Sequence, residues 1–145
     1  MPRTSRGWKL AIGAAAFLGA MQLVPVERSN PPVEFEMPSP PPVGAILGRS
    51  CYDCHSHETD WPWYARVAPA SWKVAYDVAL ARDELNFSTW RAYRPDKRKR
   101  LLEDVLEEVD EGHMPPWFYG LLHPEARLSD ADRATLRAWI RGDGD

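Results

Sequence analysis

The chain has 145 residues, 18 Lys and Arg against 21 Asp and Glu, two Cys, 14 Pro and seven Trp. That length suits one domain of ordinary size, and 44% apolar against 27% charged residues can bury a core, which excludes wholesale disorder. Two cysteines exclude a disulfide-dense scaffold and a four-thiolate metal site, and a net charge of −3 gives no electrostatic basis for binding nucleic acid.

The charge is unevenly placed along the chain. Residues 1–26 carry only Arg3, Arg6 and Lys9, leaving 15 basic against 21 acidic residues for the remainder. Leu10 to Val26 is a 17-residue uncharged run behind that basic flank, the pattern of a chain exported with its amino end inside. At about 1.5 Å per residue the run reaches about 26 Å, marginal against a hydrocarbon core of about 30 Å. Its exit, Leu18 to Pro25, offers no Ala-x-Ala cleavage signature, which favours a retained transmembrane signal anchor over a cleaved signal peptide. Residues 1–26 are therefore expected to tether the protein to the inner membrane, with the rest in the periplasm. Residues 27–43 follow as a linker. Pro31, Pro32, Pro38, Pro40, Pro41 and Pro42 fix φ and remove donors, which predicts an extended polyproline-type spacer.

Residues 44–145 are expected to form an all-α domain, since no sustained period-2 alternation supports a sheet. A short helix is predicted around Ala45–His55. Trp72, Ala75, Tyr76, Ala79 and Leu80 follow helical spacing after Ser71 as N-cap. Pro95 opens the next helix, whose stripe is Leu101, Leu102, Val105, Leu106 and Val109, and Gly112 stops it. Lys97 to Arg100 read as a solvated basic face with helical ion pairs. Ser129 and Asp132 make a capping-box-like pair before a last helix that buries Leu136, Trp139 and Ile140.

Both cysteines fall in Cys51-Tyr52-Asp53-Cys54-His55, a C-x-x-C-H run. This is the spacing of c-type haem attachment. On a helical turn, residues three apart share a face, so both thiols can add to the vinyl groups of one haem while His55 reaches the iron from the same side. Rival readings fit less well. A thioredoxin-like redox pair needs a βαβ context. Zinc could draw on Cys51, Cys54 and two of His55, His57, His113 and His123, but at spacings that match no common finger. A disulfide across two residues would be strained. The expected cofactor is one covalently attached haem c, with Cys51, Cys54 and His55 binding it and His55 on the iron.

The second axial position decides the chemistry, because Met/His ligation raises the potential and fills the coordination sphere. Met1, Met21 and Met37 lie in the predicted anchor or linker, leaving Met114 as the domain methionine and expected iron ligand. It follows Gly112 and precedes Pro115-Pro116, which restrict its backbone. His113 and then His123 are the substitutes. His57 stands too close to His55 to reach the opposite face. Trp61, Trp63, Tyr64, Trp72, Trp90, Trp117, Phe118 and Tyr119 are expected to supply dry wall around the haem.

From Arg28 onward the chain resembles the haem-binding-domain family of bacterial cytochrome-c-like monohaem proteins. The matching stretches are Cys51-Tyr52-Asp53-Cys54-His55-Ser56, Trp61-Pro62-Trp63-Tyr64, Ala68-Pro69-Ala70-Ser71-Trp72, Leu85-Asn86-Phe87-Ser88, Met114-Pro115-Pro116, His123-Pro124-Glu125-Ala126 and Leu128-Ser129. The resemblance implies a monohaem, mainly helical, exported domain, and no particular partner. The expected function is a membrane-tethered electron-transfer cytochrome, not an enzyme, that docks to redox proteins. The alternative is a haem-based sensor or peroxidase-like enzyme with a displaceable distal ligand. A haem subunit of a larger respiratory complex is the third reading.

Overall fold

Two consecutive prolines start the helix that delivers the cysteines. The structure is a computed structural model describing residues 5–142, and its helices are α1 (Ser5–Met21), α2 (Pro41–Ser50), α3 (Tyr52–His55), α4 (Ala70–Glu84), α5 (Pro95–Asp110), α6 (Tyr119–Leu122) and α7 (Asp130–Arg141). Among the described residues there is no strand, only an isolated parallel bridge between Phe35 and Thr89. The all-α expectation therefore holds. Arg3 of the predicted basic flank, the side chain of Arg6 and the last three residues of the predicted domain lie outside what is described.

The chain divides into two compact units. The first joins Met1–Ser29 to Trp61–Asp77. Gln22 ties it together: its Nε2 donates to Ala68 O (3.2 Å) and its Oε1 accepts from Ala68 N–H (2.9 Å). Arg28 donates to Ala65 O at 3.2 Å. The expected membrane anchor is not supported: no helix among the described residues is long and apolar enough to cross a membrane. The physical reason lies in where α1 begins and ends. It starts at Ser5, spends its first turns on Arg6 and Lys9, and stops at Met21, so its uncharged part is about 18 Å long.

The second unit joins Asn30–Asp60 to Val78–Asp145. Its core is Met37, Val43, Ile46, Leu47, Leu85, Phe87, Trp90, Val109 and Leu136, with Leu101, Leu102, Val105 and Trp139 packed against it. The predicted spacer is part of this core. Glu34 and Phe35 N–H donate to Ser88 O (3.2 and 2.9 Å), Met37 N–H donates to Phe87 O (3.0 Å), and Met37 is only 3% exposed. Prolines kept the segment extended, as expected, but extended backbone can also dock along another chain segment. Pro41 and Pro42 begin α2, where a missing N–H costs nothing.

Later elements follow their sequence signals more closely. Helix α5 opens at Pro95, and Gly112 takes φ +78° just past its end, a left-handed stop that favours glycine. The Ser129–Asp132 capping box forms in full, with Ser129 N–H donating to Asp132 Oδ2 (2.8 Å) and Asp132 N–H to Ser129 Oγ (3.2 Å). Helix α4 differs. Tyr76, Ala79 and Leu80 are exposed, while Ser71 and Val78 are buried, and Ser71 lies inside the helix rather than capping it. Apolar residues occur on several sides of α4, so spacing alone did not select its buried face.

Candidate functional site

Helix α2 ends at Ser50, Cys51 breaks the helical path at φ −128°, and α3 resumes for one turn. Cys51 O accepts from both Cys54 N–H (3.1 Å) and His55 N–H (2.9 Å), which closes the C-x-x-C-H run into a single turn. Neither cysteine is in a disulfide. Burial pushes the Cys51 thiol up to about 12, the neighbouring Cys54 adds to the rise and Arg49 opposes it. The thiol is thus protonated at neutral pH.

His55 is held by main chain from α4 and the residue after it. Its Nδ1 lies 3.0 Å from Ala81 O and 3.0 Å from Leu85 O. Carbonyl oxygens only accept, so Nδ1 carries the ring proton and Nε2 of the neutral ring keeps its lone pair. Burial lowers the pKa of His55, against an upward pull from the Leu85 and Ala81 carbonyls, which keeps the imidazole neutral. The ring also meets Phe87 edge-on at 6.3 Å, and His55 O accepts from Phe87 N–H at 2.8 Å. A metal-binding histidine generally donates its other nitrogen to a carbonyl in this way, fixing tautomer and ring direction.

Residues that no sequence pattern singled out complete the setting. Arg82 donates to Ser56 O (2.7 Å), Thr59 Oγ1 (2.9 Å) and Asn30 Oδ1 (3.2 Å), bracing the chain just after the motif. Asp53, inside the motif, accepts from Asp60 N–H at 2.8 Å and from Tyr119 O–H at 2.6 Å. His57 is structural: Nδ1 pairs with Pro32 O (2.9 Å) and Nε2 with Asn86 Nδ2 (2.8 Å). Contacts of this kind join residues far apart in sequence, which a local motif cannot encode.

Met114 lies in the turn after α5, where Glu108 O accepts from His113 N–H (2.9 Å) and Met114 N–H (3.1 Å). Its side chain is 37% exposed. The sequence left Met114 as the only methionine of the domain, but Met37 also belongs to this unit, in its core. The His113 ring is exposed and lies 3.3 Å from carboxylates of both Glu108 and Glu111. His123 stacks on Tyr119 at 4.3 Å and reaches Glu125 at 3.2 Å. The aromatic residues expected around the haem differ in burial. Trp90 is buried, whereas Trp63 and Trp117 are largely exposed.

The donor set fits a haem: two thiols outside any disulfide on one turn, a neutral imidazole with Nε2 available beside them, and a thioether in an exposed loop. It fits zinc less well, since no three His, Cys, Asp or Glu side chains converge on a metal position among the described residues.

Comparison with known proteins gives the same direction. The family described as "Haem-binding domain" matches residues 16–142. A curated relative, the cytochrome c peroxidase Ccp of Escherichia coli (strain K12), is 29% identical over 104 residues. The match covers 68% of this chain and 22% of that protein, so the chain spans about a fifth of the relative's length. No solved structure matches.

Proposed function

The chain belongs to the haem-binding-domain family, and from that premise we propose that it carries one covalently attached c-type haem and works as an electron carrier. The observation that carries this reading is the fixed tautomer of His55. Its Nδ1 proton is committed to the Ala81 and Leu85 carbonyls, directly after a turn that carries two thiols outside any disulfide. Cys51 and Cys54 hold the group through thioether links, and His55 Nε2 binds its iron. Met114 would supply the second protein ligand to the iron, with His113 and then His123 as substitutes. The haem supplies reversible one-electron exchange. The protein's part is to hold His55 rigid, through α4 on one nitrogen and Phe87 on one edge, so that little reorganisation accompanies a change of iron charge.

Redox proteins are its expected partners. A second reading has one observation in its favour. His113 stands between two carboxylates beside Met114, an acid–base group that peroxide chemistry could use if the distal face were open. We also assign the haem domain to the periplasm, the uncharged part of α1 serving in export.

Expression with haem-maturation machinery, followed by acid-acetone extraction and a reduced-minus-oxidised spectrum, tests the assignment. Haem should stay with the denatured protein and be absent when Cys51→Ala and Cys54→Ala are combined. Haem that extracts into solvent from the unaltered protein would refute covalent attachment. Rapid carbon monoxide binding by the unaltered protein would favour the enzyme or sensor reading.

A further inference from the structure

The segment from His113 to Leu122 is suspended between attachments. At its start, Glu108 O takes the N–H groups of His113 and Met114. At its far end, the Tyr119 hydroxyl donates to Asp53 Oδ2 at 2.6 Å, and Gly120 O accepts from Arg127 Nε at 2.7 Å. Along this segment several large side chains are exposed: Trp117 at 76%, and also Phe118 and, just past the far attachment, Leu121 and Leu122. Core packing therefore does little to fix where the segment lies relative to the C-x-x-C-H turn. The Tyr119–Asp53 bond does so directly, because Asp53 stands between the two cysteines.

We propose that Tyr119 is a positioning residue for the distal ligand: its hydroxyl, clipped to Asp53, holds the Met114-bearing segment as a strap against the haem-binding turn and limits access to the iron. This rests on the reading of Met114 as the opposite ligand. The bond has the short length of a hydroxyl meeting a carboxylate, the stronger class of hydrogen bond. Asp53 is in turn oriented by Asp60 N–H at 2.8 Å, and the Tyr119 ring is steadied by stacking on His123 at 4.3 Å. Removing only the hydroxyl leaves that stacking in place, so the clip can be cut without emptying the site.

The test uses full-length, haem-loaded protein and the variants Tyr119→Phe, Asp53→Asn and their combination, with Tyr76→Phe, at an exposed position of α4, as a hydroxyl lost outside the strap and the haem-binding turn. The rate at which ferric protein takes up added imidazole is measured by stopped flow. Tyr119→Phe should raise it about tenfold or more, the scale of losing a hydrogen bond to a charged group. The combined variant should go little further than either change alone, and Tyr76→Phe should leave the rate unchanged. Chymotrypsin cleavage at Trp117 and Phe118 gives a readout independent of the iron and should quicken in Tyr119→Phe. A Tyr119→Phe protein with unaltered imidazole uptake overturns the proposal, even if cleavage quickens. If the unaltered protein lacks the sulfur-ligand absorption band, the Met114 assignment fails separately, and the imidazole and cleavage rates still decide the strap.

Discussion

Arg49 Nη2 lies 2.6 Å from Asp132 Oδ1, joining the last turn of α2 to the first turn of α7 two residues before Cys51. The same carboxylate closes the capping box with Ser129. One acidic side chain thus caps the final helix and fastens it to the helix that presents the cysteines.

The first prediction follows from that arrangement. Hydrogen bonding from Ser129, then from Arg49, holds the Asp132 carboxyl down at about 2, against an ordinary 3.8. The unfolded chain therefore binds the proton first as pH falls. The contribution of Asp132 is complete above the ordinary value and is lost as pH drops through about 2. Asp132→Ala should cost about 1–2 kcal/mol near neutral pH, the worth of a helix cap. Denaturant titrations over this acid range should show the two proteins converging at the low end. A difference that persists there would show that lost packing, not charge, is responsible.

Met37 provides the second. Its burial with Val43, Leu47 and Phe87 makes residues 30–40 part of the folded unit. Met37→Ala should destabilise the protein by about 2–5 kcal/mol, as for other large-to-small core changes. A spacer residue would tolerate the change within about 0.5 kcal/mol, so a urea midpoint distinguishes the two.

Phe87 couples stability to the site. It is 1% exposed, stacks on Tyr52 at 5.4 Å and meets His55 edge-on. Phe87→Ala should cost about 3–5 kcal/mol, whereas Phe87→Leu should lose much less. If His55 depends on that ring for its orientation, Phe87→Leu should also broaden the haem absorption bands while leaving haem content intact.

Met114 is the fourth. Met114→Ala should erase the weak long-wavelength band of thioether-ligated ferric haem, lower the potential and open the iron to cyanide. Met114→His should restore six-coordination at a lower potential. Met37→Leu should change none of these spectral features, because that thioether is committed to the core.

The elements read correctly from sequence are those whose signals are local. Pro95 and Gly112 bound α5 because a ring-locked φ and a left-handed stop act within one turn. Ser129 and Asp132 cap α7 because both partners lie three residues apart. The C-x-x-C-H run was legible for the same reason. Where the signal was not local, the reading failed. Six prolines told of extended backbone between 27 and 43, and nothing in them told that Met37 would insert into a core or that Phe35 would pair with Thr89. A 17-residue uncharged run suggested a span, but the helix begins five residues before that run and ends five residues short of its end.

By itself the sequence determined the helical class, the ends of α5, the cap of α7 and the single turn of the C-x-x-C-H run, since each rests on contacts within a few residues. Only the tertiary structure decided which carbonyls receive the His55 proton, which arginine braces the chain after the motif, and that Tyr119 reaches Asp53 across 66 positions. Those contacts depend on where packing brings distant backbone and side chains together, and their energies appear only once the chain has closed upon itself.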